Sequence, residues 1–174
     1  MCVLSTIEPQ AMQVRTALPE DTHALASLCA AHANYERIPY CANGHADRLQ
    51  DALASGLLHA WLLEQRDAVV GYASVTLDFA TLGARRFAHL DCLYLEPAAR
   101  GQGGGQALMQ AVQAFAHAQG CTELQWQTPA WNHSAIRFYE RLGVAGAAKQ
   151  RYVLMLGAVD GRVVTDNSGQ PVRT

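Results

Sequence analysis

Lysine is almost missing from this chain: Lys149 is the only one among 13 basic residues in a length of 174. Charge as a whole is scarce at 16%, and 13 basic against 15 acidic residues leave a net charge of −2. So even a balance lacks the basic face that nucleic acid requires, and no nucleic-acid partner is expected. Long apolar runs are lacking too. Charges or glycines break each one short of the roughly 18 residues a membrane span needs, so no membrane partner is expected. Met1-Cys2-Val3-Leu4-Ser5-Thr6-Ile7-Glu8 has neither a positive n-region nor an apolar h-region, and export is not expected. Nor is there a disulfide framework. The five cysteines (Cys2, Cys29, Cys41, Cys92, Cys121) are odd in number and irregular in spacing, and Cys92 and Cys121 sit in apolar segments where free thiols pack. A reducing, cytoplasmic compartment is expected. The shortage of lysine against arginine and alanine reads as the codon bias of a GC-rich, bacterial genome.

What is present is enough for one ordinary core. Half the residues are apolar, and no repeat, linker or low-complexity block interrupts the chain, so a single domain over 1–157 is expected, followed by a turn-rich tail over 158–174. Met12–Thr16 reads as a short strand. Leu18-Pro19-Glu20-Asp21 opens a helix in which Ala24, Leu25, Leu28, Cys29 and His32 form a helical stripe. Asp47–Leu53 reads as a second helix. Strands follow near Leu58–Glu64, Val69–Phe79 and Phe87–Leu95, the last stopped by Pro97. A helix carries Leu108, Met109, Val112 and Phe115 and ends at Gly120. Glu123–Thr128 reads as a strand, and Asn132 caps a helix that ends at Gly143. Arg151–Leu156 is predicted as a final strand. The class is α/β.

Between the Phe87–Leu95 strand and its following helix stands Arg100-Gly101-Gln102-Gly103-Gly104-Gly105. Glycines let backbone approach a ligand closely, and a helix N-terminus offers unpaired N–H groups to an anion. Arg100 can add a charge-assisted contact at the rim. A P-loop is excluded, because Gln106 and Ala107 follow the glycines and no lysine is near. A dinucleotide fingerprint fits poorly: counted from Gly101 its third glycine would be Gln106, and Glu123 lies at the start of the next strand rather than at its end. A second cluster, Cys29-x2-His32-x8-Cys41-x3-His45, has zinc-ligand types, but its central gap is short for a zinc fold and no metal site is expected.

Leu90–Gln106, LDCLYLEPAARGQGGGQ, resembles the acetyl-CoA signature of the GNAT superfamily of N-acetyltransferases, with Arg100, Gly103 and Gly105 in the Q/R-x-x-G-x-G/A positions. Trp131–Gly143, WNHSAIRFYERLG, is similar to the family's asparagine-to-tyrosine helix. Within the family, ANYER (Ala33–Arg37), Leu90-Asp91 and the two motifs look most like the diamine and polyamine branch. Three departures stand out: Gly104 replaces a usual Ile or Val and so weakens the packing of the helix start, Ala98-Ala99 replaces a bulkier pair, and Cys92 follows Asp91 where that branch has two adjacent acids.

The resemblance implies a mixed α/β (α+β) fold with a mostly antiparallel sheet of six to seven strands flanked by about four helices. It implies acetyl-CoA as cosubstrate, a small-molecule primary amine as acceptor, direct attack in a ternary complex, and a homodimer. Backbone amides of Gly101, Gln102, Gly103, Gly104, Gly105 and Gln106 would hold the pyrophosphate. Backbone groups of Leu93, Tyr94 and Leu95 would meet the pantetheine arm and acetyl carbonyl, and Asn132 and Ala135 would touch the cofactor. Tyr139, seven residues after Asn132 and on the same helix face, would hydrogen-bond the departing sulfur. Asp91 would take the amine's proton, directly or through water, with His89 on the same strand as the alternative. Tyr35 and Glu36 would line the amine pocket. Polyamine, amino acid, antibiotic and protein N-terminus all stay open as acceptors, and a non-catalytic acyl-CoA-binding module is the alternative from another class.

Overall fold

The computed structural model describes residues 12–154 and 156. Within them, contacts divide the chain into two compact units, one of residues 12–36 with 40–126 and one of residues 37–39 with 127–154 and 156.

The first unit holds a five-stranded sheet in the order β1-β2-β3-β4-β5: β1 (Gln13–Thr16), β2 (His59–Gln65), β3 (Ala68–Ala80), β4 (Arg85–Leu95) and β5 (Leu124–Trp126). The first four strands pair antiparallel, and β5 lies parallel to β4 over Ala88–Leu90. The β2–β3 hairpin closes on two residues, Arg66 and Asp67, both at positive φ, the twist that matches right-handed strands. Three helices accompany the sheet: α1 (Thr22–Glu36), α2 (His45–Ala54) and α3 (Gly104–Ala118).

Alternation along the strands gives each face of the sheet its own core. Leu62, Tyr72 and Tyr94 are buried with Leu25 and Leu28 of α1. On the opposite face Trp61 meets Phe115 of α3 edge-on at 5.2 Å, while Leu63, Val75, Leu108 and Val112 are fully buried. Thus β2 places successive residues in two different cores.

The second unit holds α4 (His133–Arg141). Two expectations differ here. The sheet has five strands among the described residues, not six to seven, and Arg151–Leu156 adds none: its described residues form no ladder, and Tyr152, Val153, Leu154 and Leu156 are exposed. Apolar and β-branched content favours an extended backbone, but a strand exists only where a neighbour completes its hydrogen bonds. The tail over 158–174 lies outside the described residues.

Where the chain leaves β1, Arg15 joins two carboxylates. Its terminal nitrogens grip Asp21 at 2.6 and 2.8 Å and its Nε–H donates to Glu64 at 2.7 Å. Asp21 also accepts the Leu18 N–H at 2.8 Å, closing the turn that starts α1. The Arg15 hydrogen bonds hold the Asp21 carboxyl below the usual carboxylate range. A lowered folded value means a stabilisation that is complete above the unfolded pKa of about 3.9 and disappears as pH falls through the folded one. Arg15→Met should therefore lower Tm at pH 7 by about 2–4 °C, the equivalent of about 1 kcal/mol in a chain of this size. The gap should close on acidification below pH ~4, as read by thermal melts across pH; a gap that stays constant would mean that the arginine stem, not its charge, stabilises the turn.

Candidate active site

At its C-terminal end β4 gives way to a single 3-10 turn, Pro97–Ala99, and then to the glycine loop. The two long side chains of that loop fold back onto the scaffold. Arg100 Nε–H donates to the Leu95 carbonyl at 3.0 Å, and Gln102 Nε2–H donates to the Ala98 carbonyl at 2.8 Å while its Oε1 accepts from Gln65 at 3.0 Å. The glycine backbone is left bare. Gly101 and Gly103 have φ of +75° and +89°, and a Cβ on either would meet nothing within 4 Å. Open space above a left-handed glycine at a helix start is what an anion-binding cradle requires. Gly103 caps α3, whose first turn carries no acidic residue, so its leading N–H groups and positive dipole end are uncontested.

Gly104 has a different task. A Cβ there would run into Leu63 Cδ2 and stand 3.0 Å from both Leu95 Cδ2 and Met12 Sδ. The expected weak packing at this position is corrected: the helix start lies so close to β2 and β4 that leucines from the strands occupy the space an Ile or Val would fill.

The β3–β4 register explains Asp91. Ser74 pairs with Cys92 and Val75 with Leu90, so Asp91 is an extra residue bulged out of β4. Leu93 pairs with Ala73 and Leu90 with Val75. Ala73 lies opposite Trp61 on the α3 face, so both leucines face α3 although three positions separate them. Unbroken alternation cannot do that; the bulge reverses the pleat. Pairing with β5 ends at Leu90↔Trp126, so Asp91–Leu95 has a ladder partner only in β3 among the described residues. Asp91 itself is exposed and accepts the Cys92 thiol at 3.6 Å. His89, half-buried, pairs with Thr76.

Facing this stretch, α1 contributes His32, Tyr35 and Glu36. His32 stacks on Tyr94 with ring centroids 5.0 Å apart, its Nδ1 lies 3.0 Å from the Tyr72 hydroxyl, and its Nε2 lies 3.5 Å from Glu36 Oε1. The Arg100 guanidinium covers the Tyr35 ring at 4.6 Å and lies 5.7 Å from Tyr94; those contacts and the Leu95 bond turn it toward α1. Burial pulls the His32 pKa below its usual value, against the opposing pull of the Glu36 and Asp91 carboxylates. Burial also pushes the Cys92 thiol up to about 12 and raises Tyr72 and Cys29. These two cysteines are inert packing groups rather than nucleophiles.

The structure thus brings Tyr35, Glu36, Asp91, Tyr94 and Arg100 into one neighbourhood. His32, Tyr72 and Cys92 belong to it without having been picked out as acid–base residues. The i, i+3, i+4 spacing of His32, Tyr35 and Glu36 was the available signal. Cys29, His32, Cys41 and His45 do not assemble; no group of three or more His, Cys, Asp or Glu residues able to hold a metal exists among the described residues. Asn132, Ala135 and Tyr139 stand in the second unit. Asn132 is buried, and its Oδ1 accepts the Ala135 N–H at 3.2 Å and the Ser134 hydroxyl at 2.9 Å, starting α4. Tyr139 is half-buried on that helix, its ring 5.2 Å from Phe138.

A model of the acetyltransferase (GNAT) family matches residues 25–144. The bovine thialysine N-epsilon-acetyltransferase is 33% identical over 79 residues, 45% of this chain and 46% of that protein. The chain therefore spans about half the length of that curated relative. The uncharacterized N-acetyltransferase YhfO of Bacillus subtilis is 26% identical over 132 residues, 76% of this chain and 89% of the relative. Among solved structures, an aminoglycoside N-acetyltransferase in complex with CoA superposes with a TM-score of 0.75 at 16% identity, covering 87% of this chain and 99% of that one. A predicted acetyltransferase from Clostridium acetobutylicum with acetyl-CoA gives 0.70 at 18%, covering 84% and 97%. Both show the same fold.

Gly104→Ala should cost about 1–3 kcal/mol, the range for forcing a methyl group into a packed site. Gly103→Ala, with open space around it, should cost only the left-handed backbone penalty of about 1–2 kcal/mol. Thermal melts would also show Leu63→Ala partly relieving the Gly104→Ala loss, so that the pair is less destabilised than the sum of the singles. Strict additivity would show that Leu63 does not restrict Gly104.

Proposed function

The chain belongs to the acetyltransferase (GNAT) family, and from that premise we propose that it transfers the acetyl group of acetyl-CoA to a small primary amine in a ternary complex. The observation that supports this best is the continuity of one strand: β4 carries a bulged carboxylate at Asp91, an edge without a β5 partner from Asp91 to Leu95, and then the bare glycine loop.

In this reading the amides of Gly101–Gln106 hold the pyrophosphate, and the fit rests on the two left-handed glycines with nothing above them. Backbone groups of Leu93, Tyr94 and Leu95 hold the pantetheine arm along the strand edge. Bound acetyl-CoA supplies an activated acetyl group on a sulfur that leaves as thiolate. An alkylamine of pKa ~10.4 is neutral in only about one molecule in 2,500 at pH 7, a penalty near 4.6 kcal/mol. Something must carry that proton away as the amine attacks, directly or through water, and Asp91 is assigned to that role; His89 is the alternative acceptor. Asp91 and Glu36 both act on His32, and two carboxylates near one side chain suit a cationic acceptor. Tyr139 is assigned to the leaving sulfur, and Asn132 and Ala135 to the cofactor, by their places in the Trp131–Gly143 motif. Tyrosine at pKa ~10 is a weaker acid than a thiol at ~8.5. Tyr139 therefore acts through a hydrogen bond that strengthens as charge develops, rather than by full proton transfer. The similarity to thialysine N-epsilon-acetyltransferases favours a diamine, polyamine or side-chain amine of an amino acid as acceptor. A cytoplasmic, bacterial homodimer completes the reading; no helix among the described residues is long and apolar enough to cross a membrane.

Acetyl-CoA at 100-fold excess over its Kd should stabilise the protein by about 2.7 kcal/mol, whereas NAD should not. Equal thermal shifts with both, or none with acetyl-CoA, would remove the cofactor assignment.

In steady-state assays over a panel of amines, following release of free coenzyme A, Tyr139→Phe should lower kcat and kcat/KM together by roughly 10- to 1,000-fold. Asp91→Asn should instead lower kcat/KM for the amine and move its rise to higher pH. Should Asp91→Asn keep the parent pH profile while His89→Gln loses it, the base is His89.

A further inference from the structure

A chain of side chains, buried at Tyr72 and half-buried at Cys92, His32 and Glu36, leads away from exposed Asp91. The Cys92 thiol donates to Asp91 Oδ2 at 3.6 Å; Cys92 and Tyr72 are diagonal neighbours on one face of the β3–β4 pair, where each acts on the other electrostatically; the Tyr72 hydroxyl lies 3.0 Å from His32 Nδ1; His32 Nε2 lies 3.5 Å from Glu36 Oε1. Its members come from α1, β3 and β4, so the fold, not one element, assembles it.

Proton bookkeeping along the chain defines two states. An ionised Glu36 only accepts, so neutral His32 carries its proton on Nε2 and offers the Nδ1 lone pair to the Tyr72 O–H. Protonated His32 must donate from both nitrogens. The Tyr72 oxygen then becomes the acceptor, and its own proton has to swing to a cysteine sulfur, Cys92 or Cys29. A swing to Cys92 polarises the S–H that already donates to Asp91 and so strengthens that bond, while the new positive charge acts on the same carboxylate. Both effects weaken Asp91 as a proton acceptor.

We propose that His32 is a positioning residue for Asp91, acting through Tyr72 and Cys92: its neutral form leaves Asp91 competent to deprotonate the acceptor amine, and its protonated form does not. This rests on the reading of Asp91 as the acceptor of the amine proton. The groups that act on His32 are Glu36 on α1, Tyr72 on β3, Asp91 and Tyr94 on β4, and Arg100 in the glycine loop; Cys29 and Cys92 act on Tyr72, and Tyr35 packs on Tyr94 and under Arg100. Burial is the largest influence and sets the transition below the usual histidine range; Glu36 and Asp91 oppose it, and Arg100 adds to it.

The test is the pH dependence of kcat/KM for 1,4-diaminobutane at saturating acetyl-CoA. The parent should show a second acid-side break below pH ~6.5, where the logarithmic slope steepens from one proton to two. In His32→Gln that break should vanish, and the plateau should fall roughly tenfold, a fraction of the 10²–10⁴ that positioned proton transfer supplies. Glu36→Gln removes the carboxylate that favours His32 protonation and should move the break about one unit further down. A merely structural histidine would change Tm and leave the slopes alone. A break that survives in His32→Gln, or stands still in Glu36→Gln, overturns the proposal; if His32→Gln does not fold, Glu36→Gln decides alone. Asp91→Asn separates the two levels. Parent-like kcat/KM in that variant removes the Asp91 reading itself. A large loss there, with unmoved breaks in the other two, removes only the role of His32.

Discussion

One extra residue in β4 organises this half of the molecule. Without the bulge at Asp91, strict alternation would send Leu90, Cys92 and Tyr94 to one face of the sheet. With it, Leu90, Leu93 and Leu95 serve the α3 side, while Cys92 and Tyr94 are free to pack against α1. The same irregularity leaves Asp91 at the surface beside the stretch of strand where pairing with β5 has ended. A carboxylate pointing into either core would need a partner. A carboxylate on a bulge has solvent on one side and a single thiol on the other.

The glycine loop inherits its position from the same strand. Leu95 is the last residue of β4; its carbonyl holds Arg100 and its side chain crowds Gly104. The loop between them cannot slide along the strand without breaking one of these contacts. Bare backbone at Gly101 and Gly103 is therefore presented from a fixed base, which a ligand held mainly by main-chain amides requires.

Much of this was legible from residue order. Among the described residues, stripes, alternations and stop signals such as Pro97, Gly120 and Gly143 located most of the four helices and five strands to within a few positions. The bulge was not legible: Leu90, Cys92 and Tyr94 are all compatible with a buried face, so nothing in their order marks Asp91 as an insertion. Arg151–Leu156 misled for the opposite reason, since its composition suits a strand, but its described residues have no ladder partner among the described residues. His32 was absorbed into the apolar stripe of α1, and only the placement of Tyr72, forty residues away in sequence, shows that it is a polar hub. Gly104 looked like a lost side chain because the leucines that take its space come from two other strands.

Gly104, Leu63 and Leu95 share one volume. A methyl group gained at the helix start has to be surrendered by a strand leucine, or the helix must move off the sheet and carry its amides with it. Sequence change at these three sites is thus coupled as an exchange: related chains with a bulkier residue at the first helical position are expected to carry a trimmed one in β2 or at the end of β4. Such chains would reach the same cradle by a different partition of the same space, and a single substitution transplanted between them would fail where a pair succeeds.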